Sequence, residues 1–336
     1  MIYSVLVVDD IPENIDVLKG ILGSEYHIKA AVSGFMALKV AEKTAPDIIL
    51  LDIMMPDMDG YEVCQKLKSN PITQHIPVIF VTARDQDVDE VKGFEVGAVD
   101  YVTKPISPAI VKARLRTHLA LSNQSKELER LVDQKTSEIN QTRLEIIKRL
   151  SLAAEYKDSE TGRHIERMSQ YSYRIALSCG MDVIHANILY NAAPMHDIGK
   201  IGIPESIILK PGKLTTEEFE VVKTHCEIGG RIIGEHSSDL LKAARIVALQ
   251  HHEKWNGTGY PNGLAGNGIH VYAQIIAVAD VFDALMSKRP YKEAWTFDHA
   301  VALIKNESGQ HFAPMIVSAF LNALNDIEEI MQKYYD

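Results

Sequence analysis

The sequence predicts a multidomain chain: an α/β doubly wound parallel sheet, then a long connector helix, then an all-α output domain. Three observations carry that expectation. Short apolar runs alternate with amphipathic stretches over the first 120 residues. No Gly or Pro occurs between Pro108 and Gly162. From about residue 150 to 330 the apolar spacing is helical almost throughout, with loops expected at 202–213 and 254–270.

The runs VLVV (5–8), DIILLDI (47–53) and IPVIFVTA (76–83) are nearly continuous in apolar residues. That is the signature of strands buried on both faces of a parallel sheet. Helical spacing fills 13–22, 35–44, 59–68 and 86–96 between and beside them. Alternation of this kind specifies α/β architecture with right-handed crossovers, and ligands in such sheets gather at the carboxyl ends of the strands.

Over 107–150 the chain turns rich in Lys, Glu, Gln and Ser, and Leu128, Val132, Ile139 and Ile146 recur at spacings of 4, 7 and 7. Lys135 and Thr142 occupy intervening seam positions. An imperfect heptad predicts one long helix forming a parallel dimer connector; the alternative is a lone amphipathic helix packed on its own chain.

Composition narrows the function classes. With 46% hydrophobic and 24% charged residues, the 336-residue chain is of ordinary globular type. A net charge of −10 argues against a broad surface for a nucleic acid polymer or a membrane. Cys64, Cys179 and Cys226 have no CxxC spacing, which excludes a thiolate zinc site and fits a reducing compartment. The opening MIYSVLVVDD lacks a signal-peptide pattern and no run reaches 18 apolar residues, so a cytoplasmic location without membrane insertion is expected.

Carboxylates cluster at the strand ends. Asp9 and Asp10 follow VLVV, and Asp52 closes IILLD. Thr82 ends a third strand in VTA, and Lys104 ends a fourth in YVTKP. Carboxylates at the ends of apolar strands lose hydration and repel one another, so they need a cation. Three carboxylates, a hydroxyl and an ammonium converging on one edge would hold Mg²⁺ and stabilise an acyl phosphate.

DD, LLDIMMPDMDG, VTA and KP stand as they do in response-regulator receiver domains, and residues 1–120 resemble that family. The resemblance implies a five-stranded sheet and phosphorylation of Asp52 by a sensor histidine kinase. It gives Asp9 and Asp10 to Mg²⁺, Thr82 and Lys104 to the phosphoryl oxygens, Tyr101 to an aromatic switch, and a Lys104–Pro105 bond that is often cis.

The remaining chemistry lies in a series of histidines and carboxylates. SETGRH places Glu160 and His164 at i and i+4, on one helix face. MHDIGK supplies His196, Asp197 and Lys200; KTHCEIGG supplies His225; LQHHE supplies His251 and His252. Asp280 sits in IIAVADVFDAL, where an ionised carboxylate costs several kcal/mol unless paired or metal-bound. Five imidazoles and three carboxylates without a thiolate suit Fe, Mn, Ni or Zn in multi-metal N/O coordination. Two or three ions sharing carboxylates would use the whole set and activate a water. Adjacent His251 and His252 would then diverge, each toward a different ion, and the glycines after them would bring backbone and Tyr260 close to a ligand.

HDIGK.GIP, HHEKWNGTGYPNGLAG, AVADVFDAL and RPYK resemble the HD-GYP branch of the HD metal-dependent phosphohydrolases over about 150–325. The resemblance implies hydrolysis of cyclic di-GMP, to linear pGpG and/or GMP, at two or three Fe or Mn ions. It assigns metal ligation to Glu160, His164, His196, Asp197, His225, His251, His252 and Asp280. Asp197 and Lys200 become catalytic, with Lys200, Tyr260, Arg289 and Lys292 on the substrate. Glu205, Asn256 and Ala313 depart from the family's usual Asp, none of them at a metal position.

The expected organisation is a receiver at 1–120, a connector at 107–150 and an HD-GYP domain at 151–336. The expected protein is a homodimeric, phosphorylation-regulated cyclic di-GMP phosphodiesterase. Its rivals are a phosphodiesterase for another cyclic dinucleotide and a non-catalytic cyclic di-GMP-binding module.

Overall fold

The computed structural model describes residues 2–83, 92–156, 162–287 and 294–334. The chain divides into two compact units, Met1–Thr136 and Ser137–Asp336.

The first unit is a five-stranded parallel sheet in the order β2-β1-β3-β4-β5. Its strands are β1 (Ser4–Val8), β2 (His27–Ala31), β3 (Ile48–Asp52), β4 (Val78–Ala83) and β5 (Asp100–Lys104). Three helices lie between them: α1 (Pro12–Leu22), α2 (Gly34–Thr44) and α3 (Gly60–Ser69). The expected fourth helix at 86–96 falls largely outside the described residues, which are helical over 92–95.

The two-residue period of a strand explains why the central runs are apolar at every position. Leu6, Val8, Ile49, Leu51 and Phe80 pack on one face with Ala37, Ala41, Val63 and Leu67 of α2 and α3. Val5, Val7, Ile48, Leu50 and Ile79 pack on the other with Ile15, Leu18 and Leu22 of α1 and Val111, Leu115 and Leu119 further along. Side chains that cap from outside the helix fix two helix starts. Ser33 accepts a hydrogen bond from the Met36 amide at α2, and Asp59 accepts one from the Glu62 amide at α3.

The connector is a single 48-residue helix, α4 (Pro108–Glu155), running past the expected end at 150. Leu128, Val132, Ile139 and Ile146 are all more than half exposed along it.

The second unit is helical. Around its core stand α5 (Gly162–Ser178), α6 (Val183–Ala192), α7 (Glu205–Ile208), α8 (Thr216–Lys223), α9 (His225–Ile233) and α10 (Asp239–Gln250). Then come α11 (Val271–Met286), α12 (Phe297–Asn306), α13 (Pro314–Asn322) and α14 (Leu324–Lys333). The short α7 occupies part of the segment expected as loop at 202–213. Helix α11 is the central element, burying Ile275, Ile276, Val278 and Phe282 against Tyr171 of α5, Val247 of α10 and Phe320 of α13 in one apolar cluster. Among the described residues no helix is long and apolar enough to cross a membrane.

Candidate functional site

The sheet delivers its polar residues to one edge. Asp9 follows β1, Asp52 ends β3 and Lys104 ends β5. Carboxylate oxygens of Asp9, Asp10 and Asp52 all lie within 4.8 Å of one another. Lys104 Nζ stands 2.9 Å from Asp52 Oδ2 and 3.0 Å from Asp9 Oδ2. Asp9 Oδ1 also accepts hydrogen bonds from the Ile11 amide and the Asn14 side chain. Burial pushes the Asp52 carboxyl above its usual pKa, against the pull of the Lys104 ammonium. Thr82 lies one residue beyond Val81, the β4 partner of Asp52, and its hydroxyl donates to the Ala83 carbonyl at 3.2 Å. Thr82 and Tyr101 line a small apolar crevice with Phe80 and Phe94. The Lys104–Pro105 peptide is cis, as expected from the resemblance.

In the helical unit the candidate ligands arrive from separate elements. His164 is near the start of α5, His225 opens α9, His251 caps α10 and Asp280 lies within α11. His196 and Asp197 sit between two short 3₁₀ turns, Ala193–Met195 and Ile198–Gly202. Gly199 lets this segment press onto α9, because a Cβ there would stand 1.9 Å from the His225 carbonyl oxygen. That contact sets His225 beside Asp197.

These residues form two donor groups, Asp197 with His225, His251 and His252, and His164 with His196 and Asp280. Asp197 joins them. Its Oδ1 lies 3.2 Å from His225 Nε2 and 3.4 Å from His251 Nε2, while its Oδ2 lies 3.3 Å from His196 Nε2. Lys200 Nζ meets the same Oδ2 at 2.6 Å. Asp280 Oδ1 stands 3.8 Å from His164 Nε2 and 4.0 Å from His196 Nε2.

His251 and His252 do not diverge. Their ring centroids are 4.0 Å apart and both belong to one donor group. The chain leaves helical geometry just after the cap position His251, so the angular step of a regular helix does not separate them. The turn beyond is held from below by Glu253, which is buried and accepts hydrogen bonds from the Asn262 and Leu264 amides at 2.8 and 2.9 Å. Gly259 is required by close packing, since a Cβ would come within 2.3 Å of the Lys254 nitrogen. Tyr260 thereby stacks near His252, with centroids 4.8 Å apart.

Electrostatics at the site favour positive charge. Burial disfavours ionised Asp197, yet Lys200 and His196 hold its pKa well below 3.8. Burial likewise opposes charge on His196 and His225, but Asp197 raises them to about 9 and about 10. Burial lowers His251, and lowers His252 further. Neither His196 Nε2 nor Asp197 Oδ1, both buried, has an aligned hydrogen bond among the described residues. Buried polar atoms left without an aligned partner, inside a cluster of imidazoles and carboxylates, fit a bound cation. An all N/O donor set of imidazoles and carboxylates suits a divalent transition metal.

A cavity of about 470 Å³ opens over this centre, lined by Asp197, Lys200, His225, His252, Tyr260 and Asp280 and walled by Ile203, Ile207, Leu214 and Val281. Glu160, Arg289 and Lys292 lie outside the described residues. Of the eight candidate ligands, the other seven come together.

Sequence reasoning missed Asp283. The buried carboxylate of α11 is Asp283, at 0% exposure, whereas the side chain of Asp280 is 19% exposed and faces the cavity. Asp283 is balanced by Arg167, whose Nε donates to its Oδ1 at 2.7 Å. Spacing held the signal, since Asp283 follows Asp280 by three positions and Arg167 follows His164 by three.

Fold and sites together define a two-part signalling chain, with a receiver-type acidic pocket in one unit and an HD-type His/Asp centre in the other. A response regulator receiver domain family matches residues 5–116, and an HD domain family matches 129–316. The chain is 41% identical, over 99% of its length and 80% of the relative's, to a "Probable cyclic di-GMP phosphodiesterase" of Vibrio cholerae. It is 39% identical to the "Cyclic di-GMP phosphodiesterase response regulator RpfG" of Xanthomonas campestris, over 89% of this chain and 81% of that one. It is 36% identical to a "Cyclic di-GMP phosphodiesterase" of Thermotoga maritima, over 93% and 88%. The chain belongs to the family of response regulators that join a receiver domain to an HD-GYP domain. An HD domain implies a divalent-metal site, and the described His/Asp donors fit one.

Proposed function

We propose that this chain is a cyclic di-GMP phosphodiesterase whose activity is set by phosphorylation of Asp52. The observation that carries the reading is the pair of donor groups joined by Asp197 on the floor of a cavity that Lys200 and Tyr260 line. The names borne by the full-length relatives support the substrate.

Asp197, His225, His251 and His252 would hold one ion, and His164, His196 and Asp280 a second; Glu160 is the donor expected from the resemblance for a third. Fe(II) or Mn(II) fits the donors, and such ions supply an activated water and neutralise phosphoryl charge. Lys200 contributes its ammonium to the phosphoryl oxygens as charge develops on them. Tyr260 and the apolar wall of Ile203, Ile207 and Leu214 hold the nucleotide and exclude water. Arg289 and Lys292 are the expected partners of the second phosphate, Arg in bidentate fashion and Lys as a point charge. The product is linear pGpG and/or GMP.

At the other end of the chain, Asp52 accepts phosphate from a sensor histidine kinase, with Mg²⁺ on Asp9 and Asp10. Thr82 and Lys104 take the phosphoryl oxygens. The exposed Leu128, Val132, Ile139 and Ile146 seam pairs with a second copy, making a homodimer.

Anaerobic turnover of cyclic di-GMP, with metal analysis of the same sample, tests the reading. Release of pGpG or GMP by Fe(II)- or Mn(II)-loaded protein supports it. Metal-replete protein that binds the nucleotide without turnover overturns it in favour of a non-catalytic binding module.

A further inference from the structure

Three candidate ligands share a device. The Nδ1 of His196 lies 3.0 Å from the Ala193 carbonyl, that of His225 2.6 Å from the Val222 carbonyl, and that of His251 3.0 Å from the Val247 carbonyl. A carbonyl oxygen only accepts, so each of these Nδ1 atoms carries a proton, and Nε2 is the nitrogen turned toward the centre. In each case the acceptor belongs to the residue three or four positions earlier, supplied by the local helical turn.

His164 does not follow this pattern. It is the third residue of α5. Its Nδ1 instead lies 2.7 Å from Asp283 Oδ2 on α11, and its Nε2 faces Asp280 Oδ1 at 3.8 Å. Arg167, one turn along α5, binds the same carboxylate through Nε at 2.7 Å and Nη2 at 2.9 Å. Arg167 also donates to the Tyr334 carbonyl at 3.0 Å and the Ser287 hydroxyl at 3.0 Å. Asp283 and Arg167 are fully or nearly fully buried, and the guanidinium pairs with both oxygens of the carboxylate, offsetting the cost of burying it.

We propose that Asp283 is the positioning residue of the second donor group: it fixes His164 as the Nδ1-protonated tautomer with Nε2 aimed at the metal, and Arg167 holds the Asp283 carboxylate in place. This deepens the metal-dependent reading above and rests on it. Of the candidate ligands, only His164 is reached by the described hydrogen bonds of Asp283, which acts through that imidazole.

Loss of such an outer partner typically costs 10–100-fold in metal affinity. Asp283→Asn should therefore bind Mn(II) on the order of 10–100-fold more weakly at one site, measured by chelator competition. It should lower kcat more than KM, and added metal should restore much of the loss. Asp283→Glu should recover part of the affinity. Unchanged affinity in Asp283→Asn would overturn the positioning role while leaving the metal site intact. Metal-free behaviour of the wild type would overturn both.

A second measurement needs no variant of Asp283. Nitrogen-15 imidazole spectra of Zn(II)-loaded wild-type protein, assigned by the signal absent from His164→Gln, should show His164 protonated at Nδ1 and metallated at Nε2. The opposite tautomer would overturn the proposal.

Discussion

The carboxylate of Asp197 and the ammonium of Lys200 meet at 2.6 Å on the floor of the cavity. The pair places a fixed positive charge beside the carboxylate that joins the two donor groups, and it does so without being an imidazole or oxygen ligand. An ammonium aimed where phosphoryl charge develops acts on the transition state more than on bound substrate. Lys200→Met should lower kcat for cyclic di-GMP on the order of 10²–10³-fold, with metal content retained. Elemental analysis alongside steady-state kinetics checks both halves. A variant that loses its metals would show that Lys200 supports the centre and not the substrate.

Asp52 gives a prediction with a defined sign. Burial raises its carboxyl pKa in the folded chain above the usual 3.8, and the Lys104 ammonium opposes this incompletely. The fold therefore prefers the protonated form. That stabilisation is present in full below the unfolded value and is lost as pH rises through the folded one. At neutral pH the ionised Asp52 is a cost to the receiver unit. Asp52→Asn should raise the receiver's melting temperature in Mg²⁺-free buffer at pH 7, and the gain should shrink toward pH 3. Saturating Mg²⁺ should narrow it as well, by binding the wild-type carboxylates. Calorimetric scans across pH measure this, and a pH-independent difference would contradict it.

Much of the fold was legible where burial is two-sided. Run 5–8 makes up all but the first residue of β1, and runs 47–53 and 76–83 contain β3 and β4, because their side chains fill cores on both faces of the sheet. Strand β2 left no such run. It lies at the sheet edge, and only Ala31 of HIKAA is buried. The metal donors were legible as residue types but not as geometry. Nothing in the adjacency of His251 and His252 tells that the chain leaves the helix at that point. An apolar run around two aspartates, likewise, does not say which of them faces the cavity. The three-residue step between Asp280 and Asp283 turns one toward the opening and the other into the core. Glu253 was invisible for a different reason: its partners are backbone amides of a loop, which no residue pattern encodes.

The connector predicts an oligomeric state. Ile139 is 65% and Ile146 53% exposed on a 48-residue helix, on the same heptad row as Val132. Apolar residues held in water at seven-residue spacing are stabilised by a second helix with the same seam. Wild-type protein should sediment as a dimer, and the double substitution Ile139→Asp with Ile146→Asp should shift it to monomer. The helical unit's melting temperature should change little, because both side chains project outward. A monomeric wild type at tens of micromolar would end the idea.

The division of the donors into two groups predicts how metal is lost. His252 belongs to the group of Asp197, His225 and His251, and no described hydrogen bond or ion pair links it to Asp280 or His164. Asp197 is placed differently, with Oδ1 toward His225 and His251 and Oδ2 toward His196. Removing a terminal imidazole should therefore weaken one ion, and removing the shared carboxylate should weaken both. His252→Gln should lose one equivalent of metal under mild chelation and keep the ion held by His164, His196 and Asp280. Asp197→Asn should lose metal from both groups, since an amide presents one neutral oxygen where the carboxylate presents two charged ones. Stability should follow the same order. A ligand bound only by the folded state stabilises it by RT ln(1 + [L]/Kd), about 2.7 kcal/mol at a hundredfold excess over Kd. Chelator should thus depress the melting temperature of the helical unit most in wild type, less in His252→Gln and least in Asp197→Asn. Metal counting by elemental analysis, with melting curves on the same anaerobic samples, tests the order. Equal metal loss from the two variants would mean that the donors act as one indivisible cluster rather than two groups joined through Asp197.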